Sequence, residues 1–353
     1  MTYTQSTFST NNFNLIRLLA ALEVILYHGL HHLNFEYETW KLFYEFLKFF
    51  PGVPIFFFIS GFLISKSFEG SSTLSKYAKK RLLRIYPALI VCIFISLFSV
   101  YLVGYFDGID LGIFDLIKWV VAQATFLQFY NPEFMRGYGV GVLNGSLWTI
   151  SVELQFYLLT PILYAFFKIV DRKNINTLLI ILIIIFMSIN MIYNRYEGVY
   201  GELLIVKLFQ VSFLPWFYMF LVGVFFQRNF IFIYKKLSGK LIYISILYFI
   251  FIYIFMYYFD FSYNNRLNPI YFILVAIFTF TFAYSYCNLS DKILGNNDIS
   301  YGVYIYHMPV INLVLYLGFS LGLFTLFSVV ITTIIVAFFS WTMVEKKALK
   351  LKK

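Results

Sequence analysis

The stretch Asn14–Leu33, NLIRLLAALEVILYHGLHHL, is apolar enough to cross a membrane, yet it holds Arg17, Glu23 and His28 inside the run. An ionisable side chain at bilayer depth costs roughly 2.5–3.5 kcal/mol on insertion scales, so three in one span call for a functional reason. Eleven residues make close to three helical turns, which sets Arg17 and His28 within roughly 20° of one another, about 16 Å apart along the axis. Glu23 is rotated away from that face. The helix therefore offers a neighbour one cation near its start and one imidazole deeper in.

Composition extends that reading to the whole chain. Of 353 residues, 61% are hydrophobic, 23% aromatic and only 12% charged, against about 25% charged in a soluble domain. Such a chain cannot clothe itself in polar surface, so it is an integral membrane protein with lipid around it. The net charge of +10 is then a matter of membrane sidedness and does not point to nucleic acid. Cys92 and Cys287 both sit in apolar runs and read as small core residues, with neither a disulfide framework nor a metal site implied. The first dozen residues lack Lys and Arg, and no cleavage site follows the first apolar run, so that run is expected to stay as an anchor.

At about 20 residues per span, the fold class is all-α and polytopic, with about ten transmembrane helices. Their expected ranges are 13–33, 43–67, 83–103, 147–169, 177–193, 208–227, 240–259, 268–286, 300–319 and 322–344. With the N-terminus in the cytoplasm, nineteen of the 27 Lys and Arg fall in inside loops and the tail, seven fall outside, and Arg17 is the remaining one. Basic residues collect on the cytoplasmic side, so both termini are expected there. The longest connection, 104–146, faces outward; its segment Ile113–Tyr130 is amphipathic and suits the membrane interface, and a Gly-rich piece, Gly137–Gly145, follows. No internal repeat stands out, which counts against an inverted-repeat transporter. The whole of 1–353 reads as one membrane domain.

Four further motifs carry polar chemistry. GVPIFFFISGFLIS (Gly52–Ser65) places Ser60 and Gly61 where small residues let two membrane helices approach. KKRLLRIYP (Lys79–Pro87) sets Arg81 and Arg84 three apart at the cytoplasmic start of the third span; paired guanidinium forks suit phosphate oxygens. NGSLWTISVELQFYLLTP (Asn144–Pro161) carries Glu153 about two turns into the fourth span, where a carboxylate needs a partner or a proton. ISYGVYIYHMP (Ile299–Pro309) aligns Ser300, Tyr304 and His307 on one helix face.

Taken together and in order, these residues resemble the acyltransferase-3 family of integral membrane O-acyltransferases, which acylate glycans and other hydroxylated molecules. The resemblance rests on Arg17 and His28, on Gly52, Val53, Phe56, Phe57, Ser60 and Gly61, and on Arg81, Arg84, Tyr86 and Pro87. It continues through Trp148, Glu153, Gln155, Phe156, Tyr157 and Pro161 to Ser300, Tyr301, Tyr304, His307 and Pro309. It implies a membrane acyltransferase domain that uses an acyl-CoA, usually acetyl-CoA, as co-substrate. The implied acceptor is a cell-surface polysaccharide or its lipid-linked precursor, and the implied location is the bacterial inner (plasma) membrane. Pro54 stands where many members carry a polar residue, and Leu154 where a second glutamate is common. A fused extracytoplasmic esterase-like domain is not expected, so a separate partner protein would supply any such step.

Acyl transfer from a thioester to a hydroxyl needs a base for the hydroxyl proton and a donor for the developing oxyanion. Imidazole in a dry site tends to stay neutral because desolvation disfavours its cation. The expected catalytic residues are His28 as base, with an acyl-histidine as the covalent variant, and Arg17 and Glu153. Arg17, Arg81 and Arg84 are expected to bind the CoA phosphates, and Trp148, Tyr304 and His307 to line the acceptor side. No metal is called for. The competing class is a transporter or flippase of a glycan or lipid intermediate, since buried Arg, Glu and His also suit proton-coupled transport.

Overall fold

Asn12, just before the first long helix, shows how this chain satisfies polar groups where water is scarce. Its backbone N–H donates to the Ala283 carbonyl at 2.9 Å. Its side-chain amide donates to the carbonyls of Ser285 at 2.9 Å and Tyr286 at 3.1 Å, and its Oδ1 accepts from the Ser290 N–H at 2.9 Å. A wholly buried amide with every group engaged is worth keeping, because a buried polar group left unpaired costs about 1–3 kcal/mol.

The computed structural model describes residues 5–258, 265, 267–295, 297–320 and 322–352; Arg266 and Lys353, two of the basic residues counted above, lie outside the described residues. Among the described residues the chain is helical, with no strand. In order the helices are α1 (Gln5–Ser9), α2 (Phe13–His32), α3 (Tyr37–Lys48), α4 (Gly52–Glu69), α5 (Leu74–Leu102) and α6 (Ile113–Gln123). They continue with α7 (Trp148–Ile169), α8 (Ile175–Tyr200), α9 (Leu204–Gln210), α10 (Phe217–Arg228), α11 (Phe230–Leu237) and α12 (Leu241–Tyr258). The last are α13 (Pro269–Ala283), α14 (Leu289–Leu294), α15 (Ser300–Tyr316), α16 (Leu323–Ser340) and, after a π-turn at Trp341–Glu345, α17 (Lys346–Lys350).

Among the described residues six helical stretches are long and apolar enough to cross a membrane: Thr7–His32, Glu38–Glu69, Leu74–Leu102, Gly145–Ile169, Arg172–Tyr200 and Leu323–Lys350. A seventh arises if α10 and α11, bent by 88° at Asn229, act as one span. Each expected run contains a helix, but two of the runs are interrupted. The 43–67 run breaks at residues 49–51, ahead of α4, where Pro51 is extended. The 208–227 run breaks between α9 and α10 around Pro215, since proline disfavours helix in the residue before it. Outside the spans, Ile113–Tyr130 contributes the short helix α6.

The chain divides into two compact units. The first comprises Met1–Ala20, Lys48–Ser72 and Gln155–Asp298. Its centre is the crossing of α4 and α10, where Gly61 and Gly223 bring backbone against backbone. A Cβ on Gly61 would lie 2.0 Å from the Phe220 carbonyl oxygen, and one on Gly223 would lie 2.2 Å from that of Phe58. The close approach expected of Ser60–Gly61 is thus made at Gly61. Phe58, Phe62, Phe220 and Phe280 are fully buried around it.

The second unit comprises Ala21–Leu47, Thr73–Leu154 and Ile299–Lys353. Here α15 packs on α5 and α16, and Gly302 faces Ala337 closely enough that a Cβ would come within 3.0 Å of it. Pro309 lies inside α15. Because proline has no N–H, the Ile305 carbonyl four residues earlier loses its helical donor. Asn144 Nδ2 takes that place at 2.8 Å, with the Cys92 thiol as a second, weaker donor at 3.4 Å. Asn312 holds the Gly-rich piece in the same way: its Oδ1 accepts from the Val140 N–H at 2.8 Å, and its Nδ2 donates to the carbonyls of Val142 and Leu143, both at 2.9 Å. Gly139 makes that contact at φ +55°, and any Cβ there would fall 2.1 Å from Asn312 Oδ1.

Candidate active site around His28

His28 projects from the last turns of α2 and is half-buried. Its Nδ1 lies 3.0 Å from His307 Nε2 and 3.3 Å from Met308 Sδ, both on α15. His307 is wholly buried, and its Nδ1 lies 2.6 Å from the Tyr304 carbonyl oxygen. The sequence reading put His28 and His307 on separate motifs; the fold brings their rings to 5.1 Å between centroids. Gly29 makes room for α16 beside them, a Cβ there meeting Leu326 at 2.4 Å.

Tyr304 continues the polar track. Its hydroxyl pairs with Thr149 Oγ1 at 2.8 Å and donates to the Ser146 carbonyl at 3.2 Å. The Ser146 hydroxyl in turn donates to Asn144 Oδ1 at 2.6 Å. The start of α7 is therefore laced to α15 just where the motif residues Trp148, Thr149 and Glu153 emerge. Glu153 and Glu23 both lie close enough for their carboxylates to act on the Tyr304 hydroxyl. Glu23 is 7% exposed and was set aside in the sequence reading because it turns away from the Arg17 face. Its reach toward Tyr304 turns it to α15, the same helix that carries His307.

Arg17 belongs to the other unit. It forms an ion pair with Asp298 at 2.9 Å and also donates to Asn14 Oδ1 at 2.5 Å. The pair is largely buried, with 19% of the Arg17 side chain and 8% of the Asp298 side chain exposed. The sequence reading did not find Asp298; its position directly before the ISYG motif was the available signal. Arg81 and Arg84 are part-buried two to three turns into α5, which starts earlier than expected because Thr73 Oγ1 caps it by accepting from the Lys76 N–H at 3.2 Å.

The first unit also holds a cavity of about 790 Å³ at the elbow of α10 and α11, lined by Lys66, Arg228 and Lys235 together with Gln227, Asn229 and Phe8. Behind it, Glu69 accepts from Tyr164 at 2.9 Å and from Gln227 at 2.8 Å, with Arg228 3.6 Å away. The cations come from three separate segments, so no single motif announced this recess. Cys92 and Cys287 are free thiols. No metal-holding cluster of His, Cys, Asp and Glu occurs among the described residues.

Residues 10–345 match the acyltransferase-3 family, described as an acyltransferase domain. The chain belongs to that family. It is accordingly an acyltransferase, which favours the enzyme over the transporter. Nodulation protein 10 of Rhizobium leguminosarum bv. viciae is 29% identical over 97% of this chain and 94% of its own length. The O-acetyl transferase of Shigella phage Sf6 is 27% identical over 96% of both chains. The peptidoglycan O-acetyltransferase OatA of Listeria monocytogenes is 30% identical over 48% of this chain and 26% of its own. No solved structure matches.

Proposed function

We propose that this protein is a multi-pass O-acetyltransferase of the bacterial inner membrane. It moves an acetyl group from acetyl-CoA to a hydroxyl of a cell-surface polysaccharide or its lipid-linked precursor. The observation that carries this reading is the pairing of the half-buried His28 with the fully buried His307, whose helix also carries the Tyr304 hydroxyl. Two relatives named for O-acetyl transfer support the acetyl group, and the one named for peptidoglycan supports the glycan class. Residues 1–353 form one membrane acyltransferase domain of ten spans with both termini cytoplasmic, as the distribution of Lys and Arg favours.

His28 takes the acceptor's hydroxyl proton as the oxygen attacks the thioester carbonyl. Tyr304 and Trp148 border the acceptor, and Glu153 orients it. Arg81 and Arg84 hold the CoA phosphates at the cytoplasmic end of α5. Arg17, fixed by Asp298, adds positive charge at the cytoplasmic end of α2. Deleting the gene and comparing surface-glycan acetylation by NMR tests the function: acetyl signals present in the parent are expected to vanish. Unchanged acetylation overturns it.

A further inference from the structure

His28 is the residue on which the proposed reaction turns, and its described hydrogen bonds both run through one nitrogen, Nδ1. The partner that matters is His307, whose own Nδ1 lies 2.6 Å from the Tyr304 carbonyl oxygen. A carbonyl oxygen only accepts, so His307 Nδ1 carries a proton. In a neutral imidazole the second nitrogen is then an acceptor. His307 Nε2, 3.0 Å from His28 Nδ1, can therefore only receive a hydrogen bond, and His28 Nδ1 must donate it. With His28 in the other tautomer, two lone pairs would face each other at that distance. Met308 Sδ could not impose the choice alone, because a thioether is a weak acceptor.

We infer that His307 is a positioning residue that locks His28 in its Nδ1–H tautomer and so presents Nε2 as the basic atom. This rests on the reading of His28 as the base. In the transfer, the acceptor's O–H proton passes to His28 Nε2 while the oxygen's electron pair forms a bond to the thioester carbonyl carbon. When the tetrahedral species collapses, the C–S bond breaks and the proton on Nε2 passes to the departing sulfur. Between those steps His28 is an imidazolium whose Nδ1–H stays on His307. His307 neither gains nor loses a proton. The tautomer of a catalytic imidazole is commonly set by the hydrogen bond at its other nitrogen, and here that partner is a second, buried histidine instead of a carboxylate.

Two measurements on the full chain in lipid nanodiscs test this. The first is ¹⁵N NMR of histidine-labelled protein, with signals assigned by their loss in His28→Ala and His307→Gln. Both rings are expected to show a protonated Nδ1 and an unprotonated Nε2; a proton on His28 Nε2 overturns the inference. The second is release of free CoA thiol from acetyl-CoA. His307→Gln, whose amide oxygen can accept from His28 Nδ1, should stay within about tenfold of the wild-type kcat. His307→Leu should lose about 10²-fold in kcat with KM unchanged. A wild-type rate in His307→Leu beside an inactive His28→Ala overturns the positioning role alone. A wild-type rate in His28→Ala overturns the base assignment and the positioning role with it. Should His307→Leu fail to fold, the NMR of the unsubstituted protein still decides.

Discussion

Gly61 and Gly223 meet with no side chain between them, each so near a carbonyl oxygen of the opposite helix that a Cβ would stand 2.0 Å and 2.2 Å from it. The obstacle at both positions is backbone, which cannot swing aside as a side chain can. Gly61→Ala or Gly223→Ala should therefore push α4 and α10 apart. The expected cost is at or above the usual range for overpacking, about 1–3 kcal/mol, read as a fall in the thermal midpoint of the purified protein.

Asn144 and Pro309 make a pair that can be taken apart. Asn144→Ala strips the Ile305 carbonyl of its main donor, leaving the weaker thiol of Cys92. A loss of about 1–3 kcal/mol is expected. Pro309→Ala would return a backbone N–H to the same carbonyl. In the double variant the Asn144→Ala loss should shrink, and a double-mutant cycle measures the coupling. Purely additive losses would show that the carbonyl is not what links them.

Arg17 and Asp298 form a largely buried ion pair. Removing one partner strands the other charge, at a cost of about 3–5 kcal/mol for a buried pair. Asp298→Ala should lower stability by an amount toward the bottom of that range, since some of Arg17 remains exposed. Arg17→Ala/Asp298→Ala should lose less than the two single changes summed, as read by thermal unfolding.

Arg81 and Arg84 stand three apart, two to three turns into α5. Arg81→Ala/Arg84→Ala should weaken acetyl-CoA binding by about tenfold or more, since charge-assisted bonds to phosphate contribute about 1.5–3 kcal/mol each. Acetyl-CoA titration calorimetry on the purified variant reads this directly. Arg81→Lys/Arg84→Lys should recover only part of the affinity, because ammonium groups cannot fork.

How much of this was legible depends on the kind of feature. The bounds of α2 and α7 were readable to within a residue, because an apolar run bounded by polar residues is a strong local signal. The start of α5 was not, since hydropathy sees only the apolar part of a helix that runs on into charged residues behind the Thr73 cap. The interruptions at residues 49–51 and near Pro215 were hidden by apolar residues on both sides. Arg17 in the first unit and His28, Glu153, Tyr304 and His307 in the second were each visible as polar groups out of place. Which of them touch was not visible, because His28 and His307 are 279 positions apart and helical periodicity fixes a face without naming its neighbour. Asp298 and Asn144 escaped attention for the same reason: each matters only through a partner far away in the chain.

That distance has a consequence for how the protein is made. Chains emerge from the N-terminus and are inserted as they are synthesised. The loop at Val140–Asn144 therefore reaches the membrane about 160 residues before Ile305 and Asn312 exist to receive it. Through that interval the loop's amides must be served by water or by a chaperone. The histidine pair cannot close until α15 arrives. On the proposed mechanism the nascent protein is thus held chemically silent until α15 has been made, 279 positions after His28.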